Sequence, residues 1–352
     1  MMGRSHALLG SVGYMALVQI NHLDLQSLRM QGTRMQPVMD PVIDLMQGVP
    51  DLGYGVGATA AGAVGMAFFT WRTGDKKKRN TFVGWMSLIS IVLTLMGVSG
   101  LLYTFMPGLF PSNPAEYLIN ALAVAGLAVV PDLDEPNSTI SRLFGTMSRI
   151  ASAFLRKLAG GHRYGSHSWI MVVISLGVAF LLQLSPILAA VVLAIVFALA
   201  ARLLAPDKNK DAGTVIMWIG IAVAVLSALG QIRLTPLLLT IPLGIILHVL
   251  GDYVTNSGVA FLHPLDRKFG ASLFSTGKAV EHYVVRPVLT VAFGVMLVAF
   301  IVLPMTSWVG SDDMVQYADR VTNVGVRDLV VTDLDDMDVT ENLPQGGGGK
   351  AG

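Results

Sequence analysis

Residues 53–71, 81–115, 168–201, 212–232, 234–251 and 287–311 of this chain contain no Asp, Glu, Lys or Arg. Apolar runs of roughly 18 or more residues are long enough to cross a bilayer as helices. A soluble helix must instead turn a charged face to water, which six such runs cannot do. The whole chain agrees: 13% of its 352 residues are charged, about half the ~25% usual in soluble proteins, and the mean hydropathy is +0.63. The fold class is therefore all-α, a polytopic transmembrane helix bundle with the lipid bilayer as its first partner. A strand barrel is excluded because the apolar runs do not alternate with period two.

Composition removes further readings. With no cysteine there is no disulfide framework, no thiol nucleophile and no Cys-ligated metal. A net charge of +1 gives no case for nucleic-acid binding. No cleavable leader is expected, since Arg4 is the one early positive charge and Gln19, Asn21, His22 and Asp24 interrupt the first apolar run.

Apolar runs read against Pro and Gly breakers predict about nine helical segments, near 5–21, 53–71, 81–105, 116–130, 168–184, 186–204, 213–231, 235–253 and 285–304. Residues 1–306 form the membrane-embedded domain. Residues 307–352 form an acidic, Gly-rich tail, with nine acids after residue 311; it reads as solvated and largely disordered, or as a small hairpin over Val321–Val339. No internal repeat points to an inverted-repeat transporter.

Basic residues orient the bundle. Placing the loop Arg72–Arg79 in the cytoplasm, and alternating sides, puts 18 of the 24 Lys and Arg on the cytoplasmic side. The N-terminus is then cytoplasmic and the tail extracytoplasmic.

Ionisable groups inside a bundle cost roughly 2.5–3.5 kcal/mol or more near a helix centre, so they are functional candidates by default. His248 and Asp252 stand at i and i+4 on one face of the helix 235–253, a spacing that suits a divalent cation or a hydrogen-bonded pair. Asp132 and Asp134 lie in Val130-Pro-Asp-Leu-Asp-Glu-Pro136. The prolines predict an extended loop in which the two carboxylates point the same way. Such carboxylates repel unless a proton or metal lies between them. In Gly160-Gly-His-Arg-Tyr-Gly-Ser-His-Ser168, His162 and His167 are candidate ligands and Arg163 a candidate anion clamp. Ser166 or Ser168 could instead cap the helix that follows. His6 opens the first segment. The topology brings His6, Asp132, Asp134, His162, His167, His248 and Asp252 to one membrane face, although it was set by Lys and Arg alone. Enough N and O ligands for one or two ions would meet there. His22 falls on the other side, and His263 and His282 lack partners at chelating spacing.

These residues also carry a resemblance. Gly3–His6, Val130–Pro136, His162–Ser168 and the run His248-Val-Leu-Gly-Asp-Tyr-Val-Thr-Asn-Ser-Gly-Val259 resemble, in order, the motifs of the YdjM-like membrane-bound metal-dependent hydrolases. These are LexA-regulated inner-membrane proteins of bacteria. Two positions depart from the family pattern: Glu135 stands where it has histidine, and Ser166 where it has threonine. The resemblance implies a metal-dependent hydrolase. Through a distant grouping with zinc-dependent phospholipase C, it also implies phosphoester chemistry.

The sequence therefore predicts a hydrolase whose divalent ion, zinc ahead of manganese or magnesium, acidifies a water at the cytoplasmic face. Asp132, Asp134, His167, His248 and Asp252 are the first expected ligands, with His6 and His162 next. Arg163 would steady negative charge, Glu135 would be a ligand or general base, and Glu281 a supporting partner. The expected substrate is an amphiphilic ester or lipid phosphate. The alternative is a metal-ion transporter or sensor built on the same ligands.

Overall fold

The computed structural model describes residues 3–19, 51–74, 80–138, 140–142, 145–205, 210–229, 232–265 and 267–308. His22, the loop 75–79 and the tail beyond 308, with its expected hairpin, lie outside them. Contacts divide the chain into Met1–Thr306 and Ser307–Gly352, and all that follows concerns the first unit.

Every described element is a helix; pairing between extended segments is limited to two isolated bridges, Thr255 with Phe274 and Val259 with Phe269. The apolar helices are α1 (Gly3–Gln19), α2 (Asp51–Gly65), α3 (Thr81–Phe105), α4 (Pro114–Leu127), α6 (Trp169–Gln183), α7 (Pro186–Leu204), α8 (Lys210–Ala228), α9 (Leu237–Tyr253) and α10 (Arg286–Leu297). All nine expected segments are thus helical. Among the described residues, four stretches are long and apolar enough to cross a membrane: Thr81–Phe105, Pro114–Asp134, Pro186–Leu204 and Glu281–Met305. Nine full crossings do not follow from that criterion.

Local chemistry explains the helix starts. Asn80 accepts from Val83 N at 2.8 Å, and Ser185 accepts from Leu188 N at 3.2 Å ahead of Pro186. At α4, Asn113 accepts from Glu116 N at 2.8 Å while Glu116 reaches back to Ser112 N at 2.8 Å. This reciprocal cap satisfies backbone donors that the first helical turn leaves open.

Packing around α4 positions what matters. α1, α4 and α9 pack against one another, α7 packs on α4, and α6 packs on α9. α4 and α9 are apolar nearly all round and are enclosed, as expected of helices without a polar face. A side chain at Gly126 would overlap the Val196 carbonyl oxygen, so only glycine allows α4 and α7 to approach this closely. By contrast α10 keeps Val288, Val291 and Val295 exposed, the surface a lipid-facing helix requires.

Two expectations are corrected. The segment Val130–Asp134 is a 3-10 helix, not an extended loop. Proline disfavours helical backbone in the residue before it without forbidding it, and Val130 joins the turn ahead of Pro131. Glu135, before Pro136, is extended, with φ −111° and ψ 107°, while Pro131 opens a helical turn for which its fixed φ is suited. The sequence reading also passed over α5, Thr146–Leu158, because charged residues interrupt its apolar pattern.

Candidate metal centre

Four chain elements deliver side chains to one place. His6 comes from the first turns of α1, and Asp132 and Asp134 from the 3-10 turn after α4. His167 comes from the 3-10 turn Gly165–His167 before α6, and His248 and Asp252 from the last two turns of α9. His6, His167, His248 and Asp252 are almost completely buried, whereas the Asp132 side chain is 15% exposed. Asp132 therefore marks the open side of the cluster.

Hydrogen bonds settle which ring nitrogens carry protons. His248 Nδ1 lies 2.7 Å from the carbonyl oxygen of Ala128. A carbonyl only accepts, so Nδ1 holds the proton and Nε2 a lone pair. The single proton of the Ser166 hydroxyl is given to Asp134 Oδ2. Its oxygen then accepts from His167 Nδ1 at 2.9 Å, which leaves His167 Nε2 as a second lone pair. These two Nε2 atoms face each other at 2.9 Å.

Two carboxylates complete the convergence. Asp132 Oδ1 is 3.9 Å from His167 Nε2 and 3.7 Å from His248 Nε2. Asp252 Oδ2 is 3.4 and 4.0 Å from the same two atoms. Four electron-rich atoms thus converge. Asp252 Oδ2 is already balanced by the Arg163 guanidinium, whereas the facing Nε2 pair with Asp132 Oδ1 is a set of acceptors that a cation would relieve. Ligands bound at ~2.0–2.2 Å to a tetrahedral ion stand roughly 3.3–3.6 Å apart, and the separations here, from 2.9 to 4.0 Å, bracket that spacing. Among the described residues, three overlapping groups have ligand atoms close enough to hold an ion: His6, His248 and Asp252; Asp132, His167 and His248; and Asp134, His162 and His167.

Around this set lies a supporting layer. Arg163 Nε pairs with Asp252 Oδ2 at 3.0 Å, and its Nη1 donates to Thr255 Oγ1 at 3.4 Å. His6 Nε2 stands 3.3 Å from Asp252 Oδ1, and its ring stacks on His248 with centroids 3.9 Å apart. Gly251 makes room for that ring, since a Cβ there would lie 2.9 Å from His6 Nδ1. Asp134 accepts from His162 Nδ1 at 2.7 Å, from Ser166, and from Arg163 N at 3.4 Å. It therefore organises the glycine-rich turn. Gly161 has φ +121°, a conformation side chains oppose. Arg163 has φ +67° and is held there by its bonds to Asp134 and Asp252.

The two turn histidines are tuned in opposite directions. Burial lowers the pKa of His167, so it rests neutral as a ligand must. At His162 burial also lowers the pKa, but the hydrogen bond and charge of Asp134 outweigh it and the value is raised. A pKa raised by folding stabilises below the unfolded value near 6.5 and is lost as pH climbs through the folded value. In chelator-treated protein the melting temperature should therefore fall as pH rises just above that point. His162→Gln should flatten this part of the profile; an unchanged profile would disprove the assignment.

Not every candidate joins the cluster. Glu135 turns outward to Arg156, with Arg156 Nη1 3.0 Å from Glu135 Oε2. Glu281 is buried and accepts from Gly277 N at 2.8 Å, capping the turn before the 281–285 helix. Ser166 bridges Asp134 and His167, and Ser168 Oγ bonds back to Gly165 O at 2.7 Å, so neither side chain caps α6. The Ala128 carbonyl is the participant side-chain reasoning missed. A clue was available in the end of α4 just before it, where helices leave carbonyls unpaired.

Comparison with known proteins follows the same residues. The family model described as YdjM inner membrane protein matches residues 93–310, a stretch that holds every cluster residue except His6. No curated protein and no solved structure matches significantly.

Proposed function

The chain belongs to the YdjM inner membrane protein family, and from that premise we propose that it is a metal-dependent hydrolase of ester or phosphoester bonds. The convergence of imidazole and carboxylate acceptors from His167, His248, Asp132 and Asp252 carries this reading. Mixed imidazole and carboxylate ligands suit zinc first, then manganese or magnesium. A bound divalent ion supplies Lewis acidity and lowers the pKa of water.

The chain's own residues supply the rest. Ala128 O and Ser166 fix the two ring tautomers, and Asp134 with His162 holds the turn that presents His167. Arg163 aligns Asp252 through Nε and keeps Nη2 for developing negative charge, which a planar guanidinium meets well. The Asp132 side admits water and substrate. A cluster at the ends of membrane helices suits an amphiphilic substrate such as a lipid phosphate. The basic-residue asymmetry supports a cytoplasmic position for it. Reporter fusions at residues 76 and 330 should lie on opposite sides of the inner membrane; finding both on one side would overturn this orientation.

Metal-stripped protein reloaded with Zn²⁺, Mn²⁺ or Mg²⁺ and offered a phosphomonoester, a phosphodiester and a phospholipid tests the activity. Hydrolysis of at least one substrate that depends on His248 is expected. Arg163→Lys should retain the ion but lose at least about tenfold in turnover, because lysine keeps the charge without the fork. If no substrate is cleaved and vesicles instead show His248-dependent flux of the ion, transport replaces hydrolysis.

A further inference from the structure

Helix α5 has no place in the cluster, yet its surface is divided three ways. Ser148 and Ser152 face the protein and are buried. Met147, Ile150, Phe154 and Leu158 form an opposing stripe at helical spacing, exposed by 80%, 66%, 62% and 67%. Arg149, Arg156 and Lys157 flank that stripe along the third face. Thirteen residues with three basic groups cannot cross a bilayer. A helix with a bare apolar face and a basic flank lies in the plane of the interface.

Its position in the chain agrees. The membrane-length stretch Pro114–Asp134 ends just before it, and the apolar helix α6 begins shortly after it. It therefore sits at the level where neighbouring helices leave the hydrocarbon layer. It is also fastened to the acid turn. Ser148 Oγ donates to Ser141 O at 2.7 Å, Ser141 and Ser152 hydroxyls lie 3.0 Å apart, and Arg156 pairs with Glu135.

We propose that α5 is an interfacial helix that seats anionic phospholipid headgroups along its basic flank, next to the turn that carries Glu135. Charge complementarity selects the occupant: the apolar stripe enters the acyl layer while Arg149 and Lys157 meet phosphate oxygens. The surface needs no assumption about what the cluster catalyses.

The absence of cysteine makes spin labelling of the full-length protein clean. Nitroxides are placed at Phe154→Cys on the apolar stripe and at Ala153→Cys near the basic flank, in bilayers of phosphatidylcholine with or without phosphatidylglycerol. The label at 154 should collide with oxygen and be shielded from a water-soluble nickel chelate, and the label at 153 should show the reverse. Equal access of the chelate to both would overturn the proposal, as would spin–spin coupling at 154 showing that a second copy covers the stripe. Separately, unlabelled protein should bind spin-labelled phosphatidylglycerol in preference to phosphatidylcholine. Arg149→Gln with Lys157→Gln should reduce that preference by at least about fivefold. Unchanged preference in a double variant with native metal content would refute the headgroup seat.

Discussion

Replacing Asp132 by asparagine should weaken metal binding by more than about a hundredfold while leaving the bundle folded. The substitution keeps the side chain's shape and one carbonyl oxygen but removes the charge that faces His167 and His248. Asp132 is the most open carboxylate of the set and has no arginine partner among the described contacts, so its charge can be removed without stranding another. Competition titration with a chromogenic chelator measures the affinity, and melting of the stripped proteins checks the fold. Wild-type affinity in Asp132→Asn would remove Asp132 from the ligand set.

Asp252→Asn should behave differently. Loss of its charge weakens the ligand set, but Asp252 also neutralises the largely buried guanidinium of Arg163 at 3.0 Å. Breaking a buried pair by removing one partner typically costs about 3–5 kcal/mol, because the remaining charge is left uncompensated. The single variant should therefore lose both metal and stability. Arg163→Met in the same chain should restore much of the stability and none of the metal binding. A double-mutant cycle on reversible unfolding in detergent reads the coupling, and additive effects would show that the pair is not energetically joined.

The contrast shows what the residue string carries. Uninterrupted apolar runs locate the membrane helices because no other fold tolerates them, and helix polarity then brings residues 6, 132, 167, 248 and 252 to one end. The spacing of His248 and Asp252 needs only the geometry of one helix. Which nitrogen faces the site was not legible, since it depends on the Ala128 carbonyl, a group every residue possesses. Nor were the separate contacts of the two loop aspartates. Asp132 and Asp134 meet different partners because a 3-10 turn, unlike a strand, does not aim positions i and i+2 alike. Glu135 leaves the cluster through the extended conformation Pro136 imposes on it. α5 was concealed because its apolar stripe is visible only at a 3.6-residue period, not in a scan for unbroken hydrophobicity.

Because the cluster draws on both His6 and Asp252, its assembly has an order in time. About 246 residues separate them, so at bacterial elongation rates of ~5–20 residues per second, α1 waits roughly 12–50 s for α9. During that interval His6 has neither the ring of His248 nor the carboxylate of Asp252 to meet. A nascent chain stopped before residue 237 carries Asp132 and His167 but lacks the two donors α9 supplies. For the proposed centre, an ion held through His248 and Asp252 must therefore wait until α9 has been made.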